Sequence, residues 1–139
     1  MTLKEIKEMI EGIAERQPNI NTVVKSGDIY ELNTEGTITY RVFCLTQQPH
    51  TEREGFRTYN FYMFVVDRLL SNGLNKIAVQ SAAIETLSNI INTLRGNFDL
   101  EINDNITYQT FTQRFASECA GAYTSVSITV PVTICADTY

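Results

Sequence analysis

The sequence predicts an α+β domain in which an antiparallel β-sheet carries two helices packed on one face. Three observations predict this class. Two segments, residues 2–16 and 74–95, have apolar side chains at helical spacing. Residues 22–70 and 98–135 show strand patterns separated by turn signals. The resulting order, α-β-β-β-β-α-β-β-β, allows neighbouring strands to pair as hairpins. With 139 residues, of which 43% are hydrophobic, the chain is expected to form a single domain over residues 1–139.

The first helix is predicted over residues 2–16. Thr2 and Glu5 have capping-box spacing, in which each side chain satisfies a free backbone N–H of the other residue. Pro18 and the asparagines around it end the helix. The apolar stripe that would face the sheet consists of Leu3, Ile6, Ile10 and Ile13.

Strands are predicted at residues 22–25 and 29–32, with a turn at Ser26-Gly27-Asp28 between them. A longer strand follows over residues 37–45. The polar segment 46–55 is predicted to be a long loop, because it exceeds the two to five residues of an ordinary hairpin connection. A long loop held by rigid strands is either solvated or touches a partner.

The segment 56–70 is rich in aromatic and β-branched residues and is apolar on both faces in its second half, which is typical of a central strand. After Ser71-Asn72-Gly73, a helix is predicted over residues 74–95, with Gly96 ending it in the left-handed conformation. Only Lys76, Glu85 and Arg95 carry charge in this helix. It has two apolar strips, one of which includes Ile77, and is therefore expected to be buried on more than one side.

Three strands are predicted in residues 98–135. The last of them alternates most regularly, from Ala122 to Ile134, and is preceded by Ala120-Gly121, which is expected to interrupt the pairing. Pro131 cannot donate a ladder hydrogen bond, so an edge position or a bulge is expected there.

Composition and motifs exclude several classes of function. No run of residues is long enough for a membrane span, and the acidic balance without basic clusters argues against wrapping around nucleic acid. The single histidine, His50, lies near Glu52 and Glu54 but in no known metal-ligand spacing. The cysteines Cys44 and Cys135 lie in apolar runs and are expected to be buried thiols. We therefore predict no catalytic residues, no metal and no cofactor.

The clearest functional signal is a shortage of charge on surfaces that ought to carry it. One face of the last strand presents hydroxyl-bearing side chains where a solvent-facing strand normally has Lys or Glu. Either the fold covers this face or another subunit does. The pair Asp67-Arg68 follows a very apolar run, and it is expected to form a structural ion pair, to cap a helix or to make a subunit contact. The candidate interface residues are Asp67, Arg68, Tyr123, Ser125, Ser127 and Thr129.

The segments FYMFVVDRLL (61–70), IAVQSAAIETLSNIINTL (77–94) and CAGAYTSVSITVPV (119–132), together with the N-terminal helix, resemble small structural proteins of tailed bacteriophages. The sequence is similar to the tail-terminator, or tail-completion, family and to related head–tail neck rings, in the style of phages of gut Bacteroidetes, including crAss-like phages. The resemblance covers nearly the whole chain in element order. The three strands after the second helix exceed the minimal terminator pattern, so terminator and neck ring both stay open.

The resemblance implies a structural virion protein, tail-terminator-like in fold, that forms a hexameric or dodecameric ring around the DNA channel. Portal, adjacent ring and tail tube would be its partners. DNA would pass through without sequence-specific binding, and assembly would take place in the cytoplasm of the bacterial host. Residues lining the lumen or touching the next ring would be Glu52, Arg53, Glu54, Glu101 and Asp104. The alternative is a small non-catalytic ligand-binding or dimeric α+β module.

Overall fold

The computed structural model describes residues 1–25, 27, 39–69, 73–97, 100–114 and 118–132. The predicted strand at 29–32, its flanking turns and Cys135 lie outside these residues. The elements follow one another in the order α1 (Leu3–Glu15), β1 (Thr22–Val24), β2 (Val42–Gln47), β3 (Thr51–Arg53), β4 (Phe56–Arg68), α2 (Lys76–Arg95), β5 (Glu101–Ile102), β6 (Tyr108–Arg114) and β7 (Glu118–Pro131).

The described strands form one sheet in the order β1-β2-β4-β7-β5, with β3 also pairing with β4 and β6 also pairing with β7. The α+β class is confirmed, but the prediction of a purely antiparallel sheet is wrong. β1 runs parallel to β2, whereas all other described pairs are antiparallel. The 17 residues between Val24 and Val42 are long enough for the crossover that parallel strands require.

Both helices pack on the same face of the sheet, as predicted. Helix α1 begins with the predicted capping box: the Thr2 Oγ1 accepts from the Glu5 N–H at 3.2 Å, and the Glu5 Oε1 accepts from the Thr2 N–H at 3.1 Å. Hydrogen bonding to Thr2 lowers the pKa of Glu5. The apolar stripes of both helices join side chains of β2, β4 and β7 in the main core.

Helix α2 departs from the prediction in its burial. Buried residues come from both predicted strips and form one broad face of the helix, whereas Ile77, expected in the core, is 74% exposed. The helix is therefore buried on one side only. Gly96 has a φ of −71°, so the helix ends without the expected left-handed residue. The buried residues of α2 are Val79, Gln80, Ala83, Thr86, Leu87, Ile90, Ile91 and Leu94.

The prediction of a long loop at residues 46–55 is wrong. β2 continues to Gln47, and β3 pairs with the start of β4 through a two-residue turn. The turn residues Glu54 and Gly55 have φ values of +45° and +86°, the geometry of a tight hairpin. All three side chains of β3 are exposed, so no alternation of apolar residues marks this strand in the sequence.

The last strand is longer at its start than predicted. β7 begins at Glu118 and passes through Ala120 and Gly121 without interruption, pairing with β4 along its full length. Gly121 is needed because an added Cβ would lie 2.0 Å from the carbonyl oxygen of Val65. The register of β7 with β4 runs through Pro131 without a bulge. On the other side of β7 the described pairing stops at Thr129, so Pro131 has a strand on one side only, as expected for an edge position. It is the final residue of β7, opposite the first residue of β4.

A smaller buried cluster lies on the sheet face opposite the helices, at the end where β4 finishes. Cys44 and Cys119 belong to it, and both thiols are buried. β4 separates the two strands that carry them, and Cys44 lies opposite Phe64 whereas Cys119 lies opposite Arg68, four residues further along β4. The two residues are therefore roughly 16 Å apart, beyond the reach of a disulfide. The prediction of a buried thiol is confirmed for Cys44. The cluster consists of Val24, Val42, Cys44, Val66 and Cys119.

Candidate interaction surface

The part of the sheet that faces away from the helices forms one continuous uncharged surface. The antiparallel register of β4 and β7 sets every second residue of one strand beside its partner on the same face. Ser125 is exposed and the other members are half-buried. We call this surface the open sheet face, and it consists of Thr58, Asn60, Tyr62 and Phe64 from β4 and Tyr123, Ser125, Ser127 and Thr129 from β7.

The structure thus brings together four of the six predicted interface residues. Two of their hydroxyl groups form hydrogen bonds with side chains next to them on the sheet. The Ser127 Oγ donates to the Asn60 Oδ1 at 2.7 Å, and the Ser125 Oγ donates to the Gln48 Oε1 at 3.2 Å. Hydroxyl and amide groups already paired within a surface lose little when a partner excludes water. A partner can therefore cover the open sheet face without leaving these hydroxyl and amide groups without hydrogen bonds.

Four aromatic rings stand together at one end of the open sheet face. Phe64 and Tyr123 are stacked with centroids 5.1 Å apart. Tyr62 meets Tyr123 edge-on at 5.8 Å, and Phe111 of β6 meets Phe64 edge-on at 6.2 Å. The Tyr123 hydroxyl also hydrogen-bonds Gln109. Such contacts fix the rings in place, so this group, the aromatic cluster, forms a rigid apolar ridge.

The other two predicted interface residues lie at the end of β4, beyond the open sheet face, and Arg68 shares that side of the sheet with Phe64. Asp67 forms a half-buried ion pair with Arg41, with Arg41 Nη2 and Asp67 Oδ2 3.2 Å apart. The Arg68 guanidinium lies over the Tyr40 ring at 5.0 Å. Both charges therefore have partners within the subunit, Asp67 in an ion pair and Arg68 in a cation–π contact.

Tyr40 also borders the buried cysteine cluster. Burial, together with a hydrogen bond to the Cys119 thiol, raises the pKa of Tyr40 to about 12. Burial likewise raises the pKa of Cys119. A thiol held in its protonated form is a poor nucleophile. This pair therefore supports the packing of one end of the sheet rather than chemistry.

The residues predicted for a lumen or a ring contact gather at the opposite end of the sheet. A lateral row crosses four strands there, from Thr51 to Thr58, Thr129 and Glu101. A depression of about 400 Å³ opens beside it. Within the described residues, every buried side-chain nitrogen and oxygen has a hydrogen-bond partner. The depression therefore holds no unsatisfied buried polar atom that would indicate a ligand. The lining residues are Phe56, Glu101, Ile102, Asn103, Asp104, Ser127 and Thr129.

This end is only weakly acidic. Glu52 forms an ion pair with Arg57, with Glu52 Oε1 and Arg57 Nη2 2.7 Å apart, and exposed Arg53 offsets Glu54. The described residues as a whole carry eleven basic and eleven acidic side chains. The chain's net charge of −5 comes from five acidic residues outside them, Asp28, Glu31, Glu35, Asp99 and Asp137.

His50 is built into the sheet. Its Nδ1 accepts from the Asn60 N–H at 3.0 Å, and its Nε2 lies 3.1 Å from the Gln47 Oε1. The ring also packs against Tyr59 and Phe61, with centroids 5.3 and 5.6 Å away. Both ring nitrogens are thus engaged in holding β2 against β4. In the part of the chain that the structure describes, no group of three His, Cys, Asp or Glu side chains could hold a metal ion.

Three aromatic or exposed apolar residues were not identified from the sequence. Phe111 completes the aromatic cluster, but its neighbours in sequence are polar and gave no sign of it. Leu74 and Ile77, at the start of α2, are 81% and 74% exposed. The helical period placed Ile77 on a buried face, but its side chain is exposed in the structure.

Comparisons with protein-family models and with curated proteins found no match to this chain. Neither helix of the described residues is both long enough and apolar enough to cross a membrane.

Proposed function

We propose that this protein is a non-catalytic structural subunit of a tailed-phage particle, which assembles into a ring around the DNA channel as a tail terminator or a head–tail joining ring. The observation that carries the proposal is the open sheet face. It is continuous, uncharged and partly aromatic, on the two longest strands of the described chain. Surfaces that meet other proteins are enriched in Tyr and Phe and depleted of Lys and Glu.

The uncharged character of this face distinguishes it from an ordinary solvated sheet. The exposed surfaces of soluble proteins normally carry interspersed charged side chains such as Lys and Glu, which disfavour association. From Tyr123 to Val130, β7 has none of these residues, and the opposing stretch of β4 from Thr58 to Phe64 has none either. A subunit whose face is permanently covered in an assembly has no need of such protection.

The ring would have two distinct environments. The open sheet face would lie between subunits. The charged end of the sheet, with Glu52, Arg53, Glu54, Glu101 and Asp104, would face the lumen or an adjacent ring. A lumen that presents no basic cluster lets DNA slide without sticking. The neighbours in the virion would be the portal, another ring or the tail tube, and the ring would assemble in the cytoplasm of the bacterial host.

The first test is the mass of the protein in solution, measured by light scattering over a wide concentration range and followed by negative-stain imaging. We expect rings in the wild type. Ser125→Lys should abolish them, because an exposed position then places an unpaired charge in the centre of the interface. A wild type that stays monomeric at all concentrations, alone and with portal or tail-tube proteins, contradicts the proposal.

The matched control is Asn92→Lys, a charge added to an exposed position in the last turns of α2, away from the open sheet face. Both variants should unfold at the same temperature as the wild type, and only Ser125→Lys should lose assembly. If Ser125→Lys assembles normally, the open sheet face is not an interface.

The alternative is a dimeric α+β module. Two copies of the open sheet face could pack against each other about a twofold axis, because a flat sheet surface is compatible with itself. Light scattering distinguishes the two, since this arrangement stops at twice the subunit mass.

A further inference from the structure

Residues 48–50, between β2 and β3, form a bulge beside β4. β2 ends opposite Phe61 and β3 begins opposite Thr58, so these three residues face only the two residues of β4 between them. A bulge of this kind interrupts the regular ladder of backbone hydrogen bonds. Pro49 adds to the interruption, because it has no N–H to donate. The backbone of β4 therefore needs other hydrogen-bond partners here.

Asn60 of β4 bonds each of the three bulge residues in turn. Its carbonyl accepts from the Gln48 N–H at 2.9 Å, and its side-chain amide donates to the Pro49 carbonyl at 2.8 Å. Its backbone N–H donates to the His50 Nδ1 at 3.0 Å. An imidazole nitrogen thus stands where a regular antiparallel ladder offers a backbone carbonyl. We call residues 48–50 and these three hydrogen bonds the latch.

The latch requires a neutral His50. A backbone N–H can only donate, so Nδ1 must carry a lone pair, and the ring proton lies on Nε2, which donates to the Gln47 Oε1 at 3.1 Å. The ring is also held in place by its contacts with Tyr59 and Phe61. A proton added at Nδ1 would place an N–H group against the Asn60 N–H, so this hydrogen bond would be lost.

The surroundings of His50 offer no acceptor for that added proton. Tyr59 is the titratable side chain that contacts the ring, and its hydroxyl donates to the Met1 carbonyl and accepts from Arg57. The Met1 ammonium and the Arg57 guanidinium are cations and cannot accept a hydrogen bond. The Glu52 carboxylate is paired with Arg57. Among the described residues, no carboxylate forms an ion pair with His50.

We propose that the latch is a pH-sensitive device, in which protonation of His50 at acid pH releases residues 48–50 from β4. Histidine is the side chain that ordinarily gains its charge between pH 8 and pH 5. Once the Asn60 N–H has lost its acceptor, the neighbouring bonds to Gln48 and Pro49 are no longer held by a fixed ring. The inference concerns the folded subunit and does not depend on the proposed ring function.

Release of the latch would reach the open sheet face through two side chains. The Asn60 Oδ1 accepts from the Ser127 Oγ at 2.7 Å, and the Gln48 Oε1 accepts from the Ser125 Oγ at 3.2 Å. The imidazole itself packs against side chains on the helix-covered side of β4. A proton taken up on one side of the sheet would therefore loosen hydroxyl contacts on the other side.

Amide hydrogen exchange followed by NMR tests the proposal. In the wild type, the protection factor of the Asn60 amide, which is corrected for the intrinsic pH dependence of exchange, should fall at least ~tenfold between pH 7.5 and pH 5. The amide of Phe64, in the middle of β4 with strands on both sides, should keep its protection over this range. Nitrogen-15 spectra of the His50 ring at pH 7.5 should show the proton on Nε2.

Two variants at one position separate protonation from the rest of the ring's contacts. His50→Asn keeps an acceptor that cannot be protonated, since the asparagine Oδ1 stands as many bonds from the backbone as the histidine Nδ1 does. His50→Ala removes the acceptor, so the Asn60 amide should be poorly protected at both pH values. Neither variant should show the fall in Asn60 protection between pH 7.5 and pH 5.

Four results would each overturn the proposal. The first is an Asn60 amide that is equally protected at both pH values in the wild type, and the second is a ring proton on Nδ1 at pH 7.5. The third is a fall in protection that persists in His50→Asn or His50→Ala. The fourth is an equal fall at Asn60 and Phe64, which would mean that acid opens the whole sheet and not the latch.

Discussion

Gly121 shows how a single residue sets the distance between two strands. An added Cβ would lie 2.0 Å from the Val65 carbonyl oxygen and 3.0 Å from the Val65 carbonyl carbon, far inside van der Waals contact. The obstacle is the backbone of the neighbouring strand, which cannot swing aside as a side chain can. Gly121 was predicted to interrupt the strand. In the structure it is the residue that allows the strand to continue.

We predict that Gly121→Ala lowers the free energy of unfolding by more than about 3 kcal/mol, because β4 and β7 must separate or bend to admit a methyl group. Urea unfolding followed by circular dichroism measures the loss. Gly12→Ala is the matched control. Gly12 lies inside α1 with only the end of a flexible arginine nearby, at 3.8 Å, so this variant should gain about 0.5–1 kcal/mol. A loss below 1 kcal/mol for Gly121→Ala would mean that the strands are not so close.

Tyr40 provides a test at alkaline pH. A tyrosine in the unfolded chain deprotonates near pH 10, whereas Tyr40 in the folded chain keeps its proton until the pKa of about 12. The contribution of Tyr40 to stability is thus intact below pH 10 and is lost as the pH rises from 10 towards 12. In urea unfolding at pH 8, 10 and 11, Tyr40→Phe should lose less stability over this interval than the wild type does. Parallel pH profiles for the two proteins would contradict the assignment.

Among the elements, α1 is joined to Lys25, just after β1, by a hydrogen bond from Lys7 and an ion pair from Glu15. The Glu11 carboxylate is only 3% exposed and lies 3.0 Å from the Lys7 Nζ, which also donates to the Lys25 carbonyl at 3.1 Å, just after β1. This lysine both neutralises a buried charge and joins the helix to the first strand.

Lys7→Met should lower the free energy of unfolding by roughly 2 kcal/mol, because it leaves the Glu11 carboxylate without its cation. Lys4→Met is the matched change in the neighbouring pair, where Lys4 and Glu8 are both largely exposed and 3.9 Å apart. It should cost no more than about 0.5 kcal/mol. Chemical denaturation of the two variants side by side provides the comparison, and equal losses would show that the burial of Glu11 is unimportant.

The elements also show where sequence patterns suffice. α1 was predictable to within a residue at each end, because the capping box and Pro18 are local signals. β3 was not, because it is held by backbone pairing and a two-residue turn while all its side chains face solvent. The parallel pairing of β1 with β2 was equally hidden, since no local pattern reports the direction in which a crossover returns.

For the whole molecule, the sequence was enough to predict which residues of β7 share a face, but not where the charges of the chain lie. The period-two pattern of β7 was enough to predict that Tyr123, Ser125, Ser127 and Thr129 share a face. The acidic excess suggested a channel lining, which stays a prediction because the five acidic residues that make the excess lie outside the described residues. Ile77 was misplaced because helical spacing gives the face on which a residue lies but not how far the core extends along the helix.

The position of β7 has a consequence for how the protein is made. β7 pairs with β4 on one side and with β5 and β6 on the other, so it is the strand that unites the sheet. Its first residue, Glu118, follows the last residue of β4, Arg68, by 50 positions. While the ribosome is still adding those residues, one edge of the apolar strand β4 has no partner, and such edges recruit other chains. Newly made chains should therefore depend on chaperones until β7 emerges, after which the sheet closes in a single late step.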